Sequence, residues 1–211
     1  MTDYYELLAR LQKLLQPRIY VEIGFRQGQS FALAKTAVHS VAIDPSPNVK
    51  IPLPTGDALP SIGFCGQISS HRKNLMAAFE TSPLIRSNFI KRVAFWGGNP
   101  HDTGLKADFW KNMQQNQFAL APRGAGNFSM RFYQALSVGR IPVLVNTDMA
   151  LPFSGLIPWK DFIVFEENEK QCVRRLLEIF DTGQMVALQQ MCYRMFHSYL
   201  SHKVFLGHLL Q

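Results

Sequence analysis

Residues 118–153, FALAPRGAGNFSMRFYQALSVGRIPVLVNTDMALPF, decide the fold class. Phe118–Ala121 is a short apolar run that Pro122 ends, as proline ends a central strand. Gly124 and Gly126 allow positive φ and close backbone approach. Ser129–Val138 follows as a helix with Phe132, Ala135 and Leu136 on its buried stripe, and Gly139 stands just past its end. Ile141–Val145 is a second strand, closed by a turn around Pro152. Strand, loop, helix, strand is the repeating unit of a parallel α/β sheet.

The same order aims polar groups at one place. Asn127 or Ser129 serves as N-cap. The free N–H groups of the first helical turn and the positive end of its dipole favour an anion there. Arg123 precedes the glycines and Arg131 lies early in the helix, and arginine suits bidentate phosphate contacts. Arg131 and Gln134 share a face towards the C-terminal edge of the sheet, where open α/β sheets bind ligands. A plain strand–loop–helix with solvated arginines reads the same residues without a ligand.

Outward from this stretch the alternation continues. Downstream come a strand over Phe162–Phe165, a helix over Glu169–Phe180 with Asp181 and Gly183 after it, and a last amphipathic helix over Met185–Leu200, read as a packing face. Upstream, Ile62–Cys65 is a strand and Ser70–Phe79 a helix that Ser69 or Ser70 caps. Phe89–Phe95 is a strand interrupted by Lys91 and Arg92. Residues 97–104 are a loop and Ala107–Gln115 a helix. A doubly wound, Rossmann-like parallel sheet accounts for the series.

The first 60 residues read differently. Tyr4, Leu7, Leu8, Leu11, Leu14 and Leu15 form the stripe of an amphipathic helix that Pro17 stops. Ile19–Ile23 is a strand, 24–28 a glycine turn, Ser30–Val38 a helix and Val41–Ile43 a second strand, together a short βαβ unit. Five prolines between 45 and 60 exclude a helix or central strand and mark a linker. The boundaries are 1–55 for the βαβ unit, 56–61 for the end of the proline-rich linker and 62–211 for the main domain.

The totals narrow the classes. A chain of 211 residues with 47% hydrophobic and 18% charged content is globular. No apolar run is long enough for a membrane span. The N-terminus lacks the h-region of a secretory signal, and three cysteines without CxxC spacing suit a reducing cytoplasm. Neither these cysteines nor the six histidines show metal-ligand spacing. The formal charge is +7, and residues 61–144 hold ten Lys/Arg against three Asp/Glu. Such a basic middle attracts a nucleotide sugar or an acidic glycan, or is a solvated face. The basic residues are scattered and match no nucleic-acid module, so no nucleic-acid partner is expected.

The run PRGAGNFSMRFYQALSVGRIPVLVNTDMALPF, followed by Ile157-Pro158-Trp159, resembles the exostosin family of glycosyltransferases. That family shows a PRG, a serine, arginine and acidic residue on the next helix, a Gly-x-Ile-Pro-Val strand, and Leu-Pro-Phe ahead of a Trp. Phe64-Cys65-Gly66 and His71-Arg72 resemble its Phe-x-Gly strand with a nearby arginine. The resemblance covers roughly 62–182. It implies the nucleotide-sugar-binding half of a GT-B fold and transfer of a sugar from a UDP- or GDP-sugar to a glycan acceptor. No metal or cofactor is then required, because cations and a helix N-terminus stabilise the departing diphosphate. Mapped by motif, Arg72, Arg123, Gly124, Gly126, Ser129 and Arg131 hold the diphosphate. Gln134 stands where the family has a ribose-binding Glu, and a neutral amide loses the charge-assisted bidentate option.

A second resemblance is shorter. Val21-Glu22-Ile23-Gly24, Gly28 and Val41–Asp44 are similar to the opening of class I SAM-dependent methyltransferases. This implies S-adenosylmethionine contacts at Glu22, Gly24, Gly28 and Asp44. The resemblance stops near residue 55, short of a methyltransferase core, so the unit also reads as a structural relic.

The expectation is a cytoplasmic glycosyltransferase of exostosin type, or only its donor-binding part. The alternatives are a methyltransferase or methyltransferase–glycosyltransferase fusion, and a non-catalytic fusion remnant. The catalytic base is unassigned; His101-Asp102 is a candidate, and Trp159 is the candidate for sugar stacking.

Overall fold

The structure, a computed structural model, describes residues 58–99 and 101–201, the backbone of strands 19–23 and 39–43, and Arg10, Lys13, Leu14, Val204 and Phe205. The chain divides into two compact units, Met1–Asn48 with His197–Gln211, and Val49–Phe196.

In the first unit, β1 (Ile19–Ile23) and β2 (His39–Ile43) pair in parallel, with Ile19 opposite His39 and Ile23 opposite Ile43. A parallel pair needs a crossover connection, which agrees with the βαβ reading; the helix expected over 30–38 lies outside the described residues.

The second unit is a five-stranded parallel sheet. Its elements are β3 (Ser61–Gln67), α1 (Ser70–Glu80), β4 (Arg86–Arg92), α2 (Thr103–Gln114) and β5 (Phe118–Leu120). Then follow α3 (Met130–Ser137), β6 (Ile141–Val145), β7 (Val164–Glu166), α4 (Glu169–Asp181) and α5 (Met185–Met195). The strand order is β4-β3-β5-β6-β7. The chain therefore steps outward from β3 to β4, returns past β3 to β5 and proceeds the other way. This is the doubly wound, Rossmann-like arrangement, and its switch point lies between β3 and β5.

The core lies where local patterning placed it. Phe132, Ala135 and Leu136 of α3 are buried, as are Phe118–Leu120 and Ile141–Leu144 of the central strands. Pro142 sits in a central strand without cost. The Ile141 N–H donates to the Gln117 carbonyl of the β5 side, so residue 142 turns the other way, where β7 pairs only from Val143 onward. α3 ends in a glycine cap: Gly139 has φ 62°, its N–H donates to Leu136 O at 3.0 Å, and the Arg140 N–H donates to Ala135 O at 2.8 Å. A polar stitch joins the starts of β3 and β5. Gln117 Oε1 accepts from the Ser61 N–H at 2.7 Å, while Ser61 Oγ accepts from the Gln117 N–H at 3.1 Å, all buried.

Several boundaries differ from the sequence reading. β4 runs 86–92 rather than 89–95. Among the described strands it is an edge strand paired with β3 alone, so Lys91 and Arg92 are tolerated in it as edge charges. The segment 97–104 is only partly loop: a 3₁₀ turn spans Phe95–Gly98, and α2 begins at Thr103 because the Asp102 carboxylate caps it, accepting from the Leu105 N–H at 3.0 Å. The strand expected over 162–165 is Val164–Glu166, with a turn over Trp159–Asp161 before it. The last helix is α-helical only to Met195 and passes into a π turn over Phe196–Leu200. Gly124 and Gly126 do not use positive φ; among the described residues the glycines that do are Gly97, Gly98, Gly139 and Gly183.

Candidate functional site

The carboxyl ends of β3 and β5 flank the switch point, and the guanidinium groups of Arg72 and Arg131 meet there over the Phe64 ring, beside the backbone of Arg123. Arg72 lies in the first turn of α1, which Ser69 caps by accepting from the Arg72 N–H at 3.4 Å. Its guanidinium turns back over the strand ends: Nη1 donates to Gln67 O at 2.6 Å and Nη2 to Arg123 O at 3.1 Å. Arg72 thereby ties the end of β3 to the loop after β5.

Arg131, on the first turn of α3, crosses the end of β3. Its Nη2 donates to the Cys65 carbonyl, and its guanidinium carbon lies 4.4 Å from the Phe64 ring centroid and 5.0 Å from that of Phe109. Arg72 lies over the same Phe64 ring, at 5.9 Å. A Cβ at Gly66 would stand 2.9 Å from Arg131 Nη2, so a larger residue there would make the guanidinium shift. Burial pulls the Arg131 guanidinium down to about 10; the Cys65 thiol opposes this and the charge of Arg72 adds to it. Burial lowers Arg72 as well. Arg131 still stays cationic at neutral pH.

Arg123 contributes its backbone to Arg72, and its half-buried side chain has no hydrogen-bond or ion-pair partner among the described residues. None of the three arginines pairs with a carboxylate among the described residues. Cations gathered without counter-charge are costly, and guanidinium groups so placed are able to take up an anion.

The loop between β5 and α3 is held by its own bonds. The Gly124 N–H donates to Phe128 O at 2.8 Å, so this N–H, expected to face an anion, is committed. The space over Gly126 is taken by the Phe128 ring, 2.9 Å from where a Cβ would stand. Asn127 does not cap the helix. It clasps the loop after β6, its Nδ2 donating to Thr147 O and its Oδ1 accepting from Thr147 Oγ1, both at 2.7 Å. Ser129 is the N-cap by position, buried and without a side-chain capping bond. Gln134 is buried one turn beyond Arg131.

Other expected residues land elsewhere. Trp159 is 3% exposed, its ring lies 5.1 Å from that of Phe132, and its Nε1 donates to Pro152 O at 2.7 Å. It is core, and its polar handle is already used, so it is no sugar platform. Asp102 is the α2 cap, and the His101 N–H donates to Asn99 Oδ1 at 3.0 Å. Glu22 lies in β1, whereas Gly24, Gly28 and Asp44 lie outside the described residues. Among the described residues no group of three or more His, Cys, Asp or Glu is placed to hold a metal. Nor is any of their helices long and apolar enough to cross a membrane.

Sequence reasoning missed Phe109 and Arg140. Phe109 carried no local signal, because its partner Arg131 arrives from another helix. Arg140 is buried, with Nε donating to Met113 O at 3.1 Å and Nη2 to Gln114 O at 2.9 Å. It closes the C-terminus of α2 from 26 residues away. Burial pulls its guanidinium down to about 10.

Residues 26–179 match the family described as the Exostosin GT47 domain. The chain belongs to the exostosin GT47 family. Among similar proteins is a probable glucuronosyltransferase of Oryza sativa subsp. japonica, 38% identical over 63 residues, which are 30% of this chain and 14% of that protein. Over 61 residues the chain is 38% identical to IRX10L, a probable beta-1,4-xylosyltransferase of Arabidopsis thaliana, covering 29% of this chain and 15% of the relative. IRX10 of the same species is 39% identical over 78 residues, 37% of this chain and 18% of the relative. The matched part of the chain spans less than a fifth of the length of these relatives. The exostosin match begins at residue 26 and so reaches into the segment 1–55 that the sequence reading set apart from the main domain.

Proposed function

We propose that this exostosin GT47 chain is the donor-binding part of a glycosyltransferase, taking a nucleoside-diphosphate sugar at the switch point between β3 and β5. The observation that carries the reading is the meeting of the Arg72 and Arg131 guanidinium groups over the Phe64 ring, with Arg123 on the adjoining loop and none of the three paired with a carboxylate among the described residues. Guanidinium groups hold both phosphates and stabilise the negative charge that grows on the leaving diphosphate, the work a divalent metal does in other transferases. The N-terminus of α3, from Ser129, adds its dipole. Gly124 and Gly126 shape the loop, and Gln134 meets the ribose. The acceptor is a glycan hydroxyl that displaces the diphosphate from the anomeric carbon while a base takes its proton. Relatives named as glucuronosyl- and xylosyltransferases make a uronic acid or a pentose the sugar to try first.

The parallel β1–β2 pair supports a nucleotide-binding βαβ unit, so SAM is the competing ligand. Thermal unfolding with UDP, GDP and SAM decides between them. A nucleoside diphosphate at a hundred times its Kd should stabilise by about 2.7 kcal/mol, roughly 5–11 °C for a chain of this size. Stabilisation by SAM alone overturns the donor reading, and no response to any of the three favours the fusion remnant.

Gln134→Glu is expected to tighten UDP binding by about threefold to tenfold, because a carboxylate accepts both ribose hydroxyls in charge-assisted bonds. Calorimetric titration checks this, and unchanged affinity removes Gln134 from the ribose site.

A further inference from the structure

We propose that Phe64, Phe109 and Gly66 form a slot that holds the Arg131 guanidinium ready for the diphosphate, with Phe109 a positioning residue reaching the site from α2. The inference rests on the donor reading above.

Arginine has a long side chain, and fixing it on binding costs entropy that subtracts from affinity. Here the fixing is done in advance. The guanidinium lies over two rings, Phe64 at 4.4 Å and Phe109 at 5.0 Å, and one N–H bond to Cys65 O sets its rotation. Both rings are themselves held. Phe64 is buried and meets Phe89 edge-on at 6.5 Å; Phe109 meets Trp110 edge-on at 5.1 Å, and both α2 aromatics pack on the Met113, Ala119, Ala135, Val138 cluster. The third side of the slot is the bare Cα of Gly66, where a Cβ would stand 2.9 Å from Nη2 and displace the guanidinium.

The choice of aromatic rings over a carboxylate is informative. A carboxylate would orient Arg131 equally well but would neutralise it and compete with the ligand. Ring faces attract the cation through their quadrupole and orient it while leaving its full charge for an incoming anion. Arg131 is half-buried, and burial lowers its pKa while leaving it cationic at neutral pH.

The test uses Phe109→Leu, which keeps an apolar side chain but removes the ring, and Phe109→Tyr, which restores it. In the ligand-free chain, the Arg131 Nε–H resonance, assigned by its loss in Arg131→Lys, should carry a ring-current shift. That shift should shrink in Phe109→Leu and return in Phe109→Tyr. By calorimetry Phe109→Leu should weaken UDP by about threefold to tenfold, weaken UMP less, and recover in Phe109→Tyr. An Arg131 resonance unmoved by Phe109→Leu, or equal losses for Leu and Tyr, overturns the slot. If wild-type chain binds neither UDP nor GDP, the donor reading fails, and the resonance alone judges the slot.

Discussion

Arg131→Met should cost about 3 kcal/mol of UDP affinity, roughly a hundredfold, while Asp44→Ala leaves it unchanged. The magnitude is that of two charge-assisted hydrogen bonds to phosphate, each about 1.5–3 kcal/mol. Methionine keeps most of the contact with Phe64 and Phe109 and tolerates the slot's shape. The substitution leaves the Cys65 carbonyl without its guanidinium donor, which costs some stability but leaves the strand ends in place. It also relieves the repulsion between Arg131 and Arg72. Calorimetric titration of both variants reads the contrast. Arg131→Met binding UDP within twofold of wild type, or Asp44→Ala losing as much, removes the diphosphate from this site.

The second large effect is on stability. Arg140→Met should lower the folding free energy by about 2–4 kcal/mol and leave UDP binding intact. Two terms oppose each other. Removing a buried guanidinium relieves its desolvation, a cost visible in the pKa pulled down to about 10. It also strips the Met113 and Gln114 carbonyls, at the C-terminus of α2, of their donors. Each buried carbonyl left without a donor costs about 1–3 kcal/mol, and the helix dipole loses its compensating cation. Breaking one side of a buried charged contact usually loses more than desolvation returns. Denaturant titration should show a lower midpoint with an unchanged m-value. A variant as stable as wild type would show that Arg140 is tolerated in the core without supporting it. Arg140 lies just before β6, at the opposite end of the strands from the arginine cluster, so the two variants separate folding from binding.

Much of the fold was legible because its signals are local. Phe118–Leu120, the stripe of Phe132, Ala135 and Leu136, the Gly139 cap and Ile141–Val145 each follow from periodicity and turn chemistry within about ten residues. The misplacements have equally physical causes. Lys91 and Arg92 read as interruptions of a strand placed at 89–95, whereas they end a strand over 86–92; edge strands carry charge, and edge status depends on the whole sheet order. His101-Asp102 suggested acid–base chemistry, yet Asp102 is an N-cap whose helix starts earlier than its apolar pattern. Trp159 looked available for a sugar, but Phe132 and Phe162 enclose it. Only packing shows which face of an aromatic residue is covered.

The site divides in the same way. By itself the sequence determined the order of strands and helices, the stationing of Arg72, Arg123 and Arg131 at strand ends and helix starts, and the departure at Gln134. Those depend on residue type and near neighbours. The tertiary structure alone decided what the arginines touch. Arg72 reaches a carbonyl 51 residues away, Arg131 one 66 residues away, and Phe109 comes in from a different helix. In a parallel sheet adjacent strands are joined by long crossovers, so groups that meet at the strand ends are distant in sequence. Their meeting is a property of strand order, which no local pattern contains.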